Sequence, residues 1–193
     1  MPRSREFDES VALEKATMTF WEQGYEDTSY DDLVASTGVS RYGLYSAFGG
    51  KKEFFLRALD HYIESSRCEM LGSLVESEAS LDDIFQYFHR MEKKIEDPEK
   101  RVGCMLCNTA IEMAQYDKDA EAKIKNIFDE LKNFFIRALN NAIKEGNLAK
   151  SSDSDKLGDY LVGLMMGAAM MTRSPISQAK VKNYLETGLA VLK

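Results

Sequence analysis

Hydrophobic residues recur along most of the chain at spacings of three and four, which is the period of an amphipathic helix. Near the N-terminus, Leu13, Ala16 and Phe20 recur in this way. Asp8 stands where an N-cap is expected, and Gly24 stands where such a helix should end. The pattern therefore predicts a first helix of about four turns.

Two shorter apolar patterns follow, each bounded by capping residues. Thr28 is the predicted N-cap of the second helix, with Asp31 three residues on, and Gly38 is predicted to end it. Ser40 is predicted to cap a third short helix. The side chains expected to face inward from this helix are Leu44, Ala47 and Phe48. Two short helices joined across a glycine are typical of a helix-turn-helix.

From Lys51 onward the periodic segments become longer, and the longest runs over residues 119–145. The sequence has no alternating apolar and polar segment of the kind that indicates a strand. These patterns predict an all-α fold with an N-terminal three-helix helix-turn-helix head over residues 1–57. A C-terminal helical domain for ligand binding and dimerisation is expected over residues 58–193.

Composition agrees with a folded protein, since 44% of the 193 residues are hydrophobic and 30% are charged. The longest apolar stretch, residues 161–171, is too short to span a membrane, and residues 1–10 lack the apolar core of a secretory signal. Three cysteines do not form a disulfide framework in a chain of this length. We therefore expect a cytoplasmic protein with no membrane contact.

The net charge of −7 is unfavourable for a nucleic-acid-binding protein, but its distribution changes that conclusion. Residues 38–57 carry four bases and one acid, Glu53. The four bases are Arg41, Lys51, Lys52 and Arg57. The segment that resembles a helix-turn-helix is thus locally positive.

The predicted outer face of the third helix suits DNA. An arginine can bind guanine or phosphate, tyrosine and serine hydroxyls can bind phosphate, and Gly43 would let the backbone approach the duplex closely. Lysines at the start of the next helix can add phosphate contacts. The predicted DNA-binding residues are Thr28, Ser40, Arg41, Tyr42, Gly43, Tyr45, Ser46, Lys51 and Lys52.

Several segments of the first 60 residues together resemble the tetracycline-repressor (TetR) family of transcriptional regulators. The longest is Phe-Trp-Glu-Gln-Gly-Tyr-Glu-Asp-Thr-Ser at residues 20–29. The others are Leu-Val-Ala at 33–35, Gly-Val-Ser at 38–40, Leu-Tyr at 44–45, Phe48, and Gly-Lys-Lys-Glu-Phe-Phe at 50–55. Each segment is weak alone, and the set is specific.

The resemblance implies a homodimer that binds a near-palindromic operator in double-stranded DNA and releases it when an unknown small-molecule effector binds. It also implies that Thr28 and Tyr45 contact phosphates, that Lys51 is an anchor at a helix N-terminus, and that residues 41–43 read bases. One departure is Ser46-Ala47, where relatives often have a histidine or another polar pair. A phosphate contact is therefore in doubt there.

Two long C-terminal segments carry apolar residues on more than one face, so each needs two packing partners. We expect two helices from each subunit to form an intermolecular four-helix bundle. The alternative is that both faces belong to the core of one chain. The predicted interface residues are Phe134, Leu164, Gly167, Ala168 and Met171.

An apolar effector cavity is expected in the C-terminal domain, with Asn108 and Glu112 as its orienting polar groups. These two residues could instead cap or pair within the core, and the methionines of residues 165–171 are more typical of core or interface than of a pocket. The predicted lining residues are Phe85, Phe88, Met91, Met105, Asn108, Ile111, Glu112, Phe128, Phe135 and Met166.

Cys104 and Cys107 form an isolated CxxC motif. Buried cysteine acting as a small hydrophobic residue is the default interpretation, and a thiol or electrophile sensor is an alternative. A CxxC thiol-redox enzyme is a further alternative, as is a helical adaptor that does not bind DNA. The sequence has no catalytic motif and too few ligands for a zinc site, so we predict a protein that is not an enzyme, with no cofactor and no metal.

Overall fold

The computed structural model describes residues 7–95 and 102–193, and all regular elements in these ranges are helical. None of these helices is both long enough and apolar enough to cross a membrane. Short 3₁₀ turns occupy Gly72–Val75 and Ala190–Leu192. The α-helices of the described residues are α1 (Glu9–Gln23), α2 (Tyr30–Thr37), α3 (Arg41–Phe48), α4 (Lys51–Leu71), α5 (Leu81–Ile95), α6 (Met105–Glu112), α7 (Lys118–Glu145), α8 (Ser154–Arg173) and α9 (Gln178–Leu189).

The capping residues predicted for α1 and α3 are confirmed. The Asp8 carboxylate accepts the Ser10 N–H at 2.8 Å, and Gly24 ends α1 with a φ of 91°. At the start of α3, the Gly43 N–H donates to the Ser40 hydroxyl at 3.2 Å. These contacts lie within four residues in sequence, which is why local patterns could predict them.

The predicted N-cap of α2 is wrong by one residue. Ser29 is the cap, since its hydroxyl accepts the Asp32 N–H at 3.1 Å while the Asp32 carboxylate accepts the Ser29 N–H at 2.8 Å. This reciprocal pair is a capping box. Thr28 is fully buried, and its hydroxyl donates to the Gly24 carbonyl at 2.6 Å, which stabilises the turn between α1 and α2.

Aromatic side chains join the three head helices to α4. The Phe20 ring packs edge-on against Phe55 with centroids 5.1 Å apart, and Phe48 stacks on Phe54 at 4.1 Å. The same buried cluster continues into α6 and α7 through Met105, Met113, Ala120 and Ile124. The head therefore shares its core with the C-terminal half, and α4 runs through the predicted domain boundary.

A second core lies between α5, α7, α8 and α9. Phe88 and Phe135 are fully buried there, with their rings stacked at 5.9 Å. Phe85 and Met166 pack against the same cluster. These predicted pocket residues therefore pack into or against this core, with Phe85 and Met166 only partly buried.

Candidate functional site

Tyrosine side chains dominate the outer face of α3. Tyr42 is 85% exposed and Tyr45 is 63% exposed, and Ser46 is also exposed. A tyrosine combines an aromatic ring that can pack against a partner with a hydroxyl that can hydrogen-bond to it. The helix therefore presents hydroxyl groups and aromatic faces outward while Leu44 and Phe48 anchor it from below.

Arg41 lies beside this face with its charge only loosely paired. Its guanidinium donates to Asp31 at 2.6 Å, and both side chains are mostly exposed, at 60% and 83%. It also lies 5.5 Å from the centre of the Tyr30 ring. An exposed ion pair contributes little in water, so a phosphate or a guanine can replace Asp31 at small cost.

Gly43 has a different role from the predicted one. A Cβ atom at this position would lie 3.0 Å from Val39 Cγ1 and 3.3 Å from the Phe7 ring. Close packing within the head thus accounts for the glycine without any approach to DNA. The Ser40 hydroxyl is likewise engaged as the cap of α3.

The two lysines at the start of α4 differ in their contacts. The Lys51 ammonium donates to the Glu26 carbonyl at 3.0 Å and lies over the Tyr25 ring, and it remains at the edge of the head. Lys52 instead lies 2.7 Å from Asp117 and 2.9 Å from Asp119. Hydrogen bonds to these carboxylates raise the pKa of Lys52 well above its usual value.

Two predicted phosphate contacts are therefore corrected. Lys52 joins the head to the start of α7, and the buried Thr28 hydroxyl cannot reach a ligand. Ser29, which sequence reasoning missed, carries the exposed hydroxyl at the start of α2. The Thr-Ser pair offered two candidate caps, and each has an aspartate three residues on, so the capping-box spacing alone could not identify the right one.

Helix α6 contacts α1 at both of its ends. Before α6, the Trp21 indole N–H donates to the Gly103 carbonyl at 3.2 Å. At the end of α6, the Glu112 carboxylate accepts the Tyr25 N–H at 2.8 Å. The same carboxylate occupies the space beside Gly24, where a Cβ would lie 2.6 Å from Glu112 Oε1.

Neither polar group predicted to orient an effector lines the 440 Å³ cavity of this structure. Glu112 binds the end of α1, and the Asn108 amide donates to the Val102 carbonyl at 3.1 Å. Ile111 is 55% exposed on the outer surface of α6, and Met105 is buried in the core shared with the head. These predictions fail because periodicity cannot tell which face of a helix an adjacent helix leaves uncovered.

A cavity of about 440 Å³ lies between α1, α4, α5, α7, α8 and the start of α6. Of the predicted lining residues, it contains Met91 and Phe128. Sequence reasoning missed the contributions of α1 and α4, which include Met18, Trp21 and Tyr62. Both α1 and α4 also carry apolar residues that pack in the core of the head, so the sequence alone does not single out the residues that line the cavity.

Two ion pairs stand in the largely apolar wall of the cavity, Lys94 with Glu69 at 2.7 Å and Arg67 with Glu130. The Arg67 guanidinium donates twice to the Glu130 carboxylate, at 2.6 and 3.2 Å. It also lies 5.9 Å from the centre of the Phe134 ring, which lines the same space. The cavity thus offers an apolar volume with a small number of polar anchoring points, which is the usual composition of a small-molecule site.

Cys104 lines the cavity and is the N-cap of α6. The neighbouring Cys107 thiol and the N–H groups at the start of α6 favour the thiolate form of Cys104 and lower its pKa. The Tyr62 hydroxyl lies 3.7 Å from the Cys104 sulfur. Burial raises the pKa of Tyr62, so the phenol keeps its proton and remains a donor.

The predicted dimer residues lie mostly inside one chain. Phe134, Leu164 and Ala168 are buried, and Met171 is partly buried against the core. Gly167 lies beneath the Tyr184 side chain of α9, so a larger residue there would displace α9. Their burial within one chain leaves little surface for a partner at these positions, and the location of the dimer interface stays a prediction.

A different apolar stripe remains open on α8 and α9. On α8 it includes Tyr160 and Met170, with Gly163 between them, where a Cβ would meet nothing within 4 Å. On the neighbouring α9 side it includes Tyr184 and Val191, which are 37% and 46% exposed. This stripe, which we call the α8–α9 face, is the surface that a second copy could cover.

Two family models match the chain. The model described as "Tetracyclin repressor-like, C-terminal domain" matches residues 80–186. The model described as "Bacterial regulatory proteins, tetR family" matches residues 12–58. Together the matches include the helix-turn-helix, α6 and the α8–α9 face.

Curated relatives are similar over nearly the whole chain. The uncharacterized HTH-type transcriptional regulator YezE of Bacillus subtilis is 27% identical over 193 residues, which is 100% of both chains. The HTH-type transcriptional repressor ComR of Escherichia coli is 26% identical over 97% of this chain and 90% of its own length.

A solved structure shares the fold over nearly its full length. It is a cysteine mutant of the TetR-family transcriptional regulator CifR in complex with 26 bp operator DNA. The TM-score is 0.85 at 21% identity, with 97% of this chain and 98% of that chain covered. At this identity the similarity establishes the fold.

The Cys104 thiol should react at a lower pH than an ordinary cysteine, since the Tyr62 hydroxyl donates to its sulfur and its surroundings lower its pKa. In a Cys68→Ser variant, the rate of labelling by iodoacetamide should rise with pH through a midpoint clearly below the roughly 8.5 of a free thiol. Mass spectrometry at each pH measures this midpoint. A midpoint at or above that of free cysteine would contradict the proposed hydrogen bonding.

Proposed function

Because the chain belongs to the tetracycline-repressor (TetR) family, we propose that it is a homodimeric repressor released from operator DNA by a small-molecule effector. The single observation that carries this proposal is the position of α6. Its N-terminus forms part of the cavity wall, and both of its ends contact α1 of the DNA-binding head. The proposal includes no catalytic step and no cofactor. It places the protein in the cytoplasm, because the relatives are bacterial regulators and bacterial DNA lies there.

The outer face of α3 is the proposed reading surface for the major groove. Arg41 and Tyr42 lie at its start, and Tyr45 and Ser46 lie one turn later. We propose that Arg41 exchanges Asp31 for a guanine or a phosphate, and that the tyrosine and serine hydroxyls bind the sugar-phosphate backbone. Lys51 is proposed as a phosphate contact at the edge of this surface.

Dimerisation is proposed through the α8–α9 face. Two copies that pair these helices would form a four-helix bundle around Gly163, where the missing side chain permits close approach. A two-fold axis at this position would present two α3 helices to one side of the dimer. Such a dimer reads two half-sites about 34–36 Å apart on B-form DNA.

The effector is proposed to bind in the 440 Å³ cavity, which has the size of a drug-like ligand site. An apolar body would contact Met91 and Phe128, and a polar group would meet Arg67 and Glu130. Because Trp21 lines the cavity and donates to Gly103, a bound molecule can shift α1 and α6 against each other. The effector binds more tightly to the shifted arrangement of α1 and α6 than to the arrangement that binds DNA. This difference in affinity releases the protein from the operator.

A thiol-reactive compound is the second candidate effector. The supporting observation is that Cys104, with its lowered pKa, forms part of the cavity wall. An electrophile that enters the cavity would meet a nucleophile already placed there. This candidate uses the same cavity and the same head contacts, and it differs in forming a covalent bond.

The sequence specificity of operator binding should depend on Arg41, and its sequence-independent electrostatic part should depend on Lys51. On a selected preferred site, Arg41→Ala should weaken binding by about 1–3 kcal/mol, while Lys51→Ala should weaken all sequences alike and reduce the salt slope by about one. Asp31→Asn is the matched variant with the opposite expected effect on affinity, since it frees Arg41 and should strengthen operator binding. Fluorescence anisotropy over a salt series checks all three, and unchanged affinities would refute the proposed surface.

A charge on the α8–α9 face should separate the subunits. Gly163→Glu should shift sedimentation from dimer to monomer and weaken operator binding, because two carboxylates would meet at the centre of the proposed bundle. The control is Asn140→Glu, which adds the same side chain at an exposed position of α7. A wild-type chain that sediments as a monomer, or equal effects of the two variants, would contradict this interface.

A further inference from the structure

The two cysteines at the start of α6 occupy positions that favour reaction with each other. Cys104 is the N-cap of the helix and Cys107 lies in its first turn. Side chains three residues apart on a helix have Cβ atoms about 5–6 Å apart, a separation that a small rotation reduces to that of a disulfide. Both thiols are free in this structure.

Their surroundings give the two thiols different access. Cys104 is partly exposed and lines the cavity, whereas Cys107 is buried behind it at 3% exposure. The Tyr62 hydroxyl approaches the Cys104 sulfur from α4 at 3.7 Å, and Cys107 lies three residues further along the chain in the first turn of α6. A molecule in the cavity therefore meets the Cys104 sulfur first, with a second thiol within reach of the product.

We propose that Cys104 and Cys107 form a reversible dithiol–disulfide pair that senses an apolar organic hydroperoxide admitted to the cavity. Cys104 is the attacking thiol and Cys107 is the resolving thiol. The chemical part of this proposal stands on the cysteine pair and the cavity alone. Its regulatory consequence rests on the proposed operator-binding function.

The reaction balances in two steps. The Cys104 thiolate attacks the terminal oxygen of the hydroperoxide, the O–O bond breaks, and the alkoxide leaves with a proton as an alcohol, which gives Cys104 sulfenic acid. The Cys107 sulfur then attacks the Cys104 sulfur, the S–O bond breaks, and water leaves. Two electrons pass from the two thiols to the peroxide, and a cellular dithiol can reverse the change.

The cavity favours an apolar peroxide over a simple electrophile. Met91, Phe128 and Phe134 offer a surface for a hydrocarbon group. An alkylating compound would need Cys104 alone and would leave the second thiol without a role. Two thiols three residues apart at the start of a helix can reach each other, as a disulfide requires, so the pair favours the oxidant.

Disulfide formation would alter the contact between α6 and the head. The Cys104 sulfur would lose its hydrogen bond from Tyr62, and the peptide that precedes it carries the Gly103 carbonyl bound by Trp21. Closure of the disulfide would change the Cys104 backbone as well as its side chain, and this backbone change would move the carbonyl. We therefore expect the oxidised chain to bind the operator several-fold more weakly than the reduced chain.

The experiment uses the reduced full-length chain in a Cys68→Ser background, so that only the pair can react. Cumene hydroperoxide should produce a loss of two hydrogens, with peptide mapping that joins Cys104 to Cys107, and it should react faster than hydrogen peroxide at equal concentration. Cys107→Ser should stop at a sulfenic acid that dimedone traps. Cys104→Ser should not react, and its serine remains a good N-cap, so the fold is retained.

Tyr62 is a positioning residue for this reaction. Tyr62→Phe removes the hydroxyl that favours the thiolate, so the pH profile of the reaction should move upward and the rate at neutral pH should fall by about tenfold. Tyr87→Phe is the matched control, since Tyr87 is also buried beside the cysteines but its phenol is not among the donors to Cys104. Equal pH profiles for the two variants would overturn the role of Tyr62.

The outcomes separate the chemistry from the regulation. Dimedone trapping at Cys104 without any disulfide, equal rates with both peroxides, or reaction at Cys107 first would overturn the proposed pair. A disulfide that forms as described but leaves operator affinity unchanged would overturn its regulatory role. Failure of the reduced chain to bind any operator would count against the proposed function and would leave the disulfide result to be judged separately.

Discussion

The attachment of α6 to α1 at both ends is the constraint on which the rest of the structure depends. The Trp21–Gly103 and Tyr25–Glu112 hydrogen bonds span the full length of α6, so the helix cannot move at either end without changing a contact to the head. Gly24 has to be glycine for two reasons, its φ of 91° and the Glu112 carboxylate beside it. The loop after α1 is thus shaped to receive α6.

Shared burial strengthens this connection. The core that supports the helix-turn-helix includes Met105, Met113 and Ile124 from the C-terminal half. Lys52 adds an electrostatic contact to Asp117 and Asp119 at the start of α7, and Lys123 pairs with Asp60 of α4. A close-packed core transmits displacement, so a molecule that pushes on the wall of the cavity also acts on the support of α3.

Sequence reasoning succeeded where the determining contacts are local. Asp8 and Ser40 cap their helices through bonds to residues two or three positions away, and the inward positions of α3 follow from one helical period. It failed where a face is defined by a distant partner. Glu112 looked like a ligand-orienting group because nothing nearby in sequence reveals that the Tyr25 N–H needs an acceptor. Phe134 looked like a dimer residue, although it borders the cavity.

The most direct test of the coupling through α6 is hydrogen–deuterium exchange after covalent filling of the cavity. Labelling Cys104 with N-ethylmaleimide in the Cys68→Ser chain introduces a bulky group at the N-cap of α6. The account predicts faster exchange at the Tyr25 amide, which Glu112 protects, and through α6, with no change in α9. Complete labelling of Cys104 with unaltered exchange at Tyr25 would contradict the claim that α6 joins the cavity to the head.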